Sequence, residues 1–368
     1  MSLLTDLGEA LNIRSRTSFV RRVGLAVLAT TMVAAAAACG GAEPETGAGE
    51  LTVDDTGKLS ELTKVTITIP NKSTSTVPWL MESTFGEFKK RNIDLEVRVL
   101  KSSDAMVLLA KGEIDGIHTG LSAGLLNAIT GGAEIRAVMP SGYEPDDGQS
   151  GWYVSTKALN GRTFEPSMMK GQAFASGQGA SGTVVLGLAG LLETAGLTLA
   201  DVNVKTLASP DIATALENGA IFGGSVVPPF NAALEEKKAA IRIAPNSPAD
   251  HPSGVILFGP SLLTDKPAVG KAVVSALLAT FGHMQHDYVN DPTTGPLIAK
   301  ALDQSWDTVK AGGPGKILKL KPEFPANYIV TYEQVWRQVD GTLNYSGSID
   351  PAKVLDTTIL DWATARAS

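Results

Sequence analysis

Cysteine and histidine are scarce in this chain of 368 residues, which has one Cys and four His. A single thiol rules out a disulfide framework within the chain and a cysteine-based zinc site. Charge is also sparse, at 19%, and its balance is acidic: 31 Lys and Arg face 38 Asp and Glu, for a formal net charge of −7. Proteins that grip a phosphate backbone carry a basic face, so no nucleic-acid partner is expected. The uncharged run at residues 23–38 falls short of the roughly 18 residues that cross a bilayer. What the chain does have is apolar material: 43% hydrophobic residues over this length bury a substantial core and suit two globular lobes.

Arg14, Arg16, Arg21 and Arg22 precede the apolar run, which closes on Ala36, Ala37, Ala38, Cys39 and Gly40. A basic start, a short apolar stretch and a small-residue end read as a signal peptide over residues 1–39. The closing residues resemble the lipobox of bacterial lipoproteins, with Ala36 where Leu or Val is usual. That resemblance implies cleavage before Cys39 and a lipid anchor on it. Residues 40–62 begin as a Gly, Ala and Glu-rich stretch without apolar periodicity, and read as a flexible tether.

Beyond the tether the chain states one plan twice. Residues 104–124 (DAMVLLAKGEIDGIHTGLSAG) and 211–230 (DIATALENGAIFGGSVVPPF) each open on an Asp and run as an amphipathic helix to a glycine, Gly112 or Gly219. A short strand ending in small residues follows in both. Helix, glycine stop, strand and flexible turn form half of an α/β unit, and open α/β sheets hold ligands at the carboxyl ends of their strands. Around the repeats the pattern predicts strands at residues 65–69 (VTITI), 94–100, 135–140, 151–155, 171–176, 201–207 and 253–259. It predicts helices at 79–90, 125–130, 184–195, 266–289, 295–303, 331–341 and 351–365, with Ser103 and Asp104 capping the first repeat helix and Met106, Leu109 and Ala110 on its sheet-facing side. The fold class is α/β in two lobes, one from residues 63–150 plus 260–368 and one from 151–259, with a ligand cleft between them.

The residues WLMESTFGEFKKRNIDLEVRVLKSSDAMVLLAKGEIDG (79–116), and the run from SGQGASGTVV to SVVPPF (176–230), resemble the type 2 periplasmic-binding-protein fold. More narrowly, they resemble the extracytoplasmic solute-binding proteins of nitrate, taurine, alkanesulfonate and thiamine-precursor ABC importers. The resemblance implies a small-molecule solute, an ABC permease as partner, no cofactor, no catalysis and a monomer. It also implies ligand contacts in four places: Ser73, Thr74, Ser75, Thr76 and Trp79 after the first strand; His118, Thr119, Gly120 and Ser122 after the first repeat; Gln178, Ser181 and Thr183 in the Gly-rich turn; and Ser225 and Pro228 before the PPF corner. Phe222 stands where the family usually has Asp.

Read from the residues themselves, the Ser/Thr cluster at 73–76 is equally a turn former, and Trp79, Tyr143 and Trp152 are equally core. His118 ends a repeat strand, where it is either a ligand donor or a satisfied structural group. His283 and His286 are spaced to present two nitrogens from one helix, without a third metal ligand. The Gly-rich turn at 177–183 lacks the lysine of a nucleotide-binding loop. Lys72 is the one basic residue on the candidate loops, so the expected solute carries one small acidic group such as a sulfonate or carboxylate, with a neutral pyrimidine-like heterocycle as the alternative. An enzyme or a ligand sensor on the same fold is the remaining alternative.

Overall fold

β-branched alternation does what it predicts at the first strand: Val65, Ile67 and Ile69 are fully buried on one face, while Thr66 and Thr68 are covered on the other. Both faces of this sheet are therefore packed, as in parallel α/β sheets. The structure is a computed structural model describing residues 50–146, 148–249 and 251–367. The expected signal peptide, with Cys39 at its end, lies outside the described residues. From Glu50 onward the chain forms one compact unit.

Among the described residues ten strands build two sheets: β1 (Thr63–Ile69), β2 (Ile93–Val99), β3 (Gly116–Thr119), β4 (Arg136–Ser141), β5 (Gly151–Ser155), β6 (Ala173–Ser176), β7 (Asn203–Thr206), β8 (Gly223–Val226), β9 (Ala240–Ala244) and β10 (Gly254–Phe258). The first sheet has the order β2-β1-β3-β10-β4 and the second β7-β6-β8-β5-β9. In each, three parallel strands are followed by one antiparallel strand and an edge strand. The repeat seen in the sequence is thus a repeat of sheet order. Its two helices, Ser102–Ala110 and Ser209–Asn218, are each followed by a glycine at φ +71, Gly112 and Gly219, the left-handed conformation that glycine adopts without penalty.

Several expectations need correction. The strand over 253–259, expected as the return crossing with the second lobe ending at 259, is already β10 of the first sheet, paired with β3 and β4. The return between sheets therefore lies between Ala244 and Gly254. Residues 50–62 do not form a tether: Asp54 accepts from the backbone N–H groups of Thr56 and Lys58, Val53 bridges Leu59, and Leu59 sits in the core. The helix expected over 79–90 is three short pieces, Val77–Leu80, Glu82–Phe85 and Glu87–Lys90, broken at Gly86 with φ +66. Helix Ser102–Ala110 starts without a side-chain cap, and it buries Ala105 and Leu109 while Ala110 is exposed. His286 lies beyond the end of helix Pro267–His283, so the two histidines do not share a helix.

Helix Pro267–His283 packs Val273, Leu277 and Phe281 into a core with Trp79, Phe88, Ile256 and Phe258. Helix Tyr328–Trp336 does something else. Its Tyr328, Tyr332 and Trp336 belong to a core that holds Leu125 and Leu257 of the first half and Trp152, Phe174 and Leu188 of the second. The carboxyl-terminal residues therefore pack on both sheets, not on the first alone. Phe222 is core, edge-on to Phe174 at 5.8 Å. Among the described residues no helix is long and apolar enough to cross a membrane.

Candidate functional site

The parallel strands of each sheet end in polar turns, and the antiparallel strand beside them begins at the same edge. In the first sheet this edge gathers Ser73 to Thr76 after β1, His118 and Thr119 on β3, Ser141 on β4 and Gly254 on β10. In the second it gathers Ser176 at the end of β6, Gly177 to Thr183 after it, and Ser225 on β8.

The two edges meet. Ser122 and Gly182 form an antiparallel backbone bridge. A Cβ built on Gly120 would lie 2.7 Å from Thr183 Oγ1 and 3.0 Å from Gln178 Oε1, so only a glycine allows this approach. Thr183 donates its hydroxyl to the Ser253 carbonyl at 3.4 Å, and Trp336 donates its indole N–H to the Gly182 carbonyl at 3.3 Å. Gly120, Ser122, Gln178 and Thr183 are thus brought together.

Other predicted residues are spent on local structure. Thr76 Oγ1 donates to the Asn71 carbonyl and accepts from Ser73 N, closing the loop as a turn. Ser73 and Ser75 share a hydrogen bond at 2.8 Å. Thr74 is buried in the same loop. Thr119 pairs with Ser102 at 2.8 Å, Ser122 caps helix Ala123–Thr130 by accepting from Leu125 N, and Ser181 donates to the Gln178 carbonyl. Ser225 donates to Asn246 Oδ1 at 2.9 Å, and Pro228 packs on Gly312. Tyr143 donates to the Glu323 carbonyl and Trp152 to the Val184 carbonyl, which makes both part of the scaffold. Lys72 is paired with Asp303.

Trp79 and His118 form a unit. The indole N–H of Trp79, itself packed 5.6 Å from Phe88, donates to His118 Nδ1 at 2.9 Å. An indole nitrogen can only donate, so Nδ1 must be the unprotonated nitrogen and Nε2 carries the hydrogen. Burial pushes the imidazole down to about 4, and it is neutral at pH 7.

Sequence reasoning missed Ser141, Glu144, Asn246, Ser247 and Lys316. Ser141 and Ser247 are buried, with hydroxyls that find no partner in the protein. Glu144 and Lys316 form a buried ion pair beside Gly142, and Lys316 is the only buried Lys or Arg among the described residues. No signal in the sequence marked them, because each acquires its neighbours from a distant segment. No group of three or more potential metal ligands occurs among the described residues. A surface cavity of about 270 Å³ is lined by Pro145, Met284 and residues 314–318, and none of the residues at the meeting of the two edges lines it.

The model of the NMT1-like family matches residues 59–300. No curated protein sequence is significantly similar to the chain. Among solved structures, the alkanesulfonate-binding protein SsuA from Xanthomonas axonopodis pv. citri, bound to MOPS, superposes with a TM-score of 0.62 at 16% identity, over 80% of this chain and 99% of its own. The ligand-binding component of an ABC-type import system from Staphylococcus aureus gives 0.63 at 16% identity, over 82% and 99%. The nitrate-binding protein NrtA from Synechocystis PCC 6803 gives 0.61 at 12% identity, over 84% and 90%. At these identities the likeness is one of fold, and that fold is the two-sheet periplasmic-binding-protein fold.

Proposed function

Because the chain belongs to the NMT1-like family, we propose that it is the extracytoplasmic solute-binding component of an ABC importer, capturing a small polar organic solute without chemical change. The observation that carries this reading is the meeting of two strand-end edges through Gly120, Ser122, Gln178 and Thr183. Sites of this kind lie between lobes and bind by closure. The polar side chains at the meeting point are hydroxyls, amides and one neutral imidazole, with no paired acid and base among them, which supports capture over turnover. The named neighbours, which bind alkanesulfonate and nitrate or serve an ABC import system, support the transport role. A signal peptide with Cys39 as its lipid-bearing residue would hold the protein, as a monomer, at the outer face of the membrane beside its permease.

The acidic head expected of the solute loses support, since Lys72 is already paired with Asp303 and Lys316 with Glu144. The neutral-heterocycle alternative gains it. The test is a thermal-shift screen of the purified chain against pyrimidines, amides, carboxylates, sulfonates, nitrate and bicarbonate. A ligand at a hundred times its dissociation constant stabilises by about 2.7 kcal/mol, enough to register as a clear shift. One chemical class raising the melting temperature is the expected result; a folded protein that responds to none of them refutes the reading.

A further inference from the structure

We infer that the solute offers an uncharged hydrogen-bond acceptor, of the carbonyl or ring-imine kind, to a donor pair made by His118 and Ser141 across Gly254. The inference rests on the capture reading above and names the chemistry that its site selects.

Register places the pair. Ile256 of β10 lies opposite both His118 of β3 and Met139 of β4, and two residues earlier Gly254 lies opposite Ser141. Side chains alternate along a strand, so His118, Gly254 and Ser141 share one face of the sheet, at its ligand edge. The imidazole leans over the glycine: a Cβ on Gly254 would lie 2.8 Å from His118 Nε2 and would push it aside. Glycine keeps that nitrogen approachable.

Both groups are donors in want of a partner. Trp79 occupies Nδ1, which leaves the proton on Nε2, and that bond to Trp79 is the sole side-chain hydrogen bond of His118. Ser141 is 1% exposed and its Oγ has no partner at all. A buried hydroxyl without a partner is costly, and a native fold that retains one beside an unused imidazole N–H is built to receive something. A single acceptor atom between them satisfies both.

The charge of that acceptor follows from its surroundings. Lys316 is close by, against Gly142, the residue after Ser141, but Glu144 neutralises it. A full negative charge would be taken out of water against two neutral donors and a compensated ion pair, whereas a carbonyl oxygen or ring nitrogen loses far less hydration.

Matched pairs of probes test this on the full chain: nicotinamide against nicotinate, benzamide against benzoate, and methanesulfonamide against methanesulfonate, titrated calorimetrically at pH 7. The amide of a pair is expected to bind at least about tenfold more tightly than its acid. Ser141→Ala is expected to weaken amide binding by about tenfold, the scale of one buried hydrogen bond, while leaving the melting temperature unchanged or raised, because it deletes an unsatisfied hydroxyl. In ¹⁵N-labelled protein the His118 Nε2–H resonance should shift on amide addition. Tighter binding by the acids, or an unchanged amide affinity in Ser141→Ala, overturns the donor-pair assignment and leaves capture standing. Silence from both members of every pair, and from the pyrimidines, nitrate and bicarbonate of the screen, overturns capture and this inference together.

Discussion

Holding His118 neutral has a cost that depends on pH, and the structure sets its sign and size. Burial lowers the imidazole from an ordinary value near 6.5 to about 4. Between those two values the unfolded chain binds a proton that the folded chain refuses. Stability is therefore complete above about pH 6.5 and falls as pH falls, down to about pH 4. A gap of roughly 2.5 units corresponds to about 3 kcal/mol, most of it lost by pH 4.5. His118→Gln removes the titrating group, while the Gln carbonyl can still accept from Trp79. Urea unfolding of both proteins at pH 7, 6, 5 and 4.5 isolates the difference, since every other group titrates in both. Glu87 does not interfere: burial raises its carboxyl, but Lys90, His283 and Arg91 together outweigh that and bring it to about 2, so its contribution fades only below about pH 4.5. The expected result is that wild type loses about 2 to 3 kcal/mol more than the variant between pH 7 and 4.5. Parallel losses in the two proteins would refute a buried, Trp79-locked His118.

Two further perturbations probe the meeting of the edges and its support. Gly120→Val places carbon atoms where Thr183 and Gln178 now approach, and should part the two halves, giving a larger radius of gyration by small-angle scattering and at least about tenfold weaker solute binding; an unchanged radius and affinity would contradict the contact. Lys316→Met strands the buried Glu144 carboxylate and should cost about 3–5 kcal/mol in denaturant unfolding, most of it recovered in the Glu144→Met, Lys316→Met double variant; equal losses in single and double variants would show that the pair is not buried as described.

Local physics made much of the fold legible. β-branched alternation marked β1, and an Asp-to-Gly helical stretch marked both repeats, because each depends only on neighbours in sequence. The matching φ of Gly112 and Gly219 is the structural form of that legibility. The strand ending at Phe258 was equally visible as a strand. Its partners were not. A five-residue run of apolar residues buried on both faces fits either sheet, and only the packing of distant segments decides between them. The short ordered turn at Asp54 escaped for a different reason: Leu51, Val53 and Leu59 are too few to show periodicity, yet they suffice to pin residues 50–62 to the core.

The insertion of β10 into the first sheet explains why the candidate site was only half visible. His118 and the Ser73 to Thr76 loop could be read from the sequence because they lie at the ends of strands that belong to their own half. Ser141 could not, since alone it is one more serine near a turn. What gives it a role is β10, which leaves the second half, inserts between β3 and β4, and sets Gly254 between Ser141 and His118. The same insertion carries Ser253 to Gly142 on one side and to Thr183 on the other, so one strand start touches both edges at once. A solute atom held across Gly254 would therefore report directly on how the two halves are joined, which is where a protein that signals its loaded state to a membrane partner needs its ligand to sit.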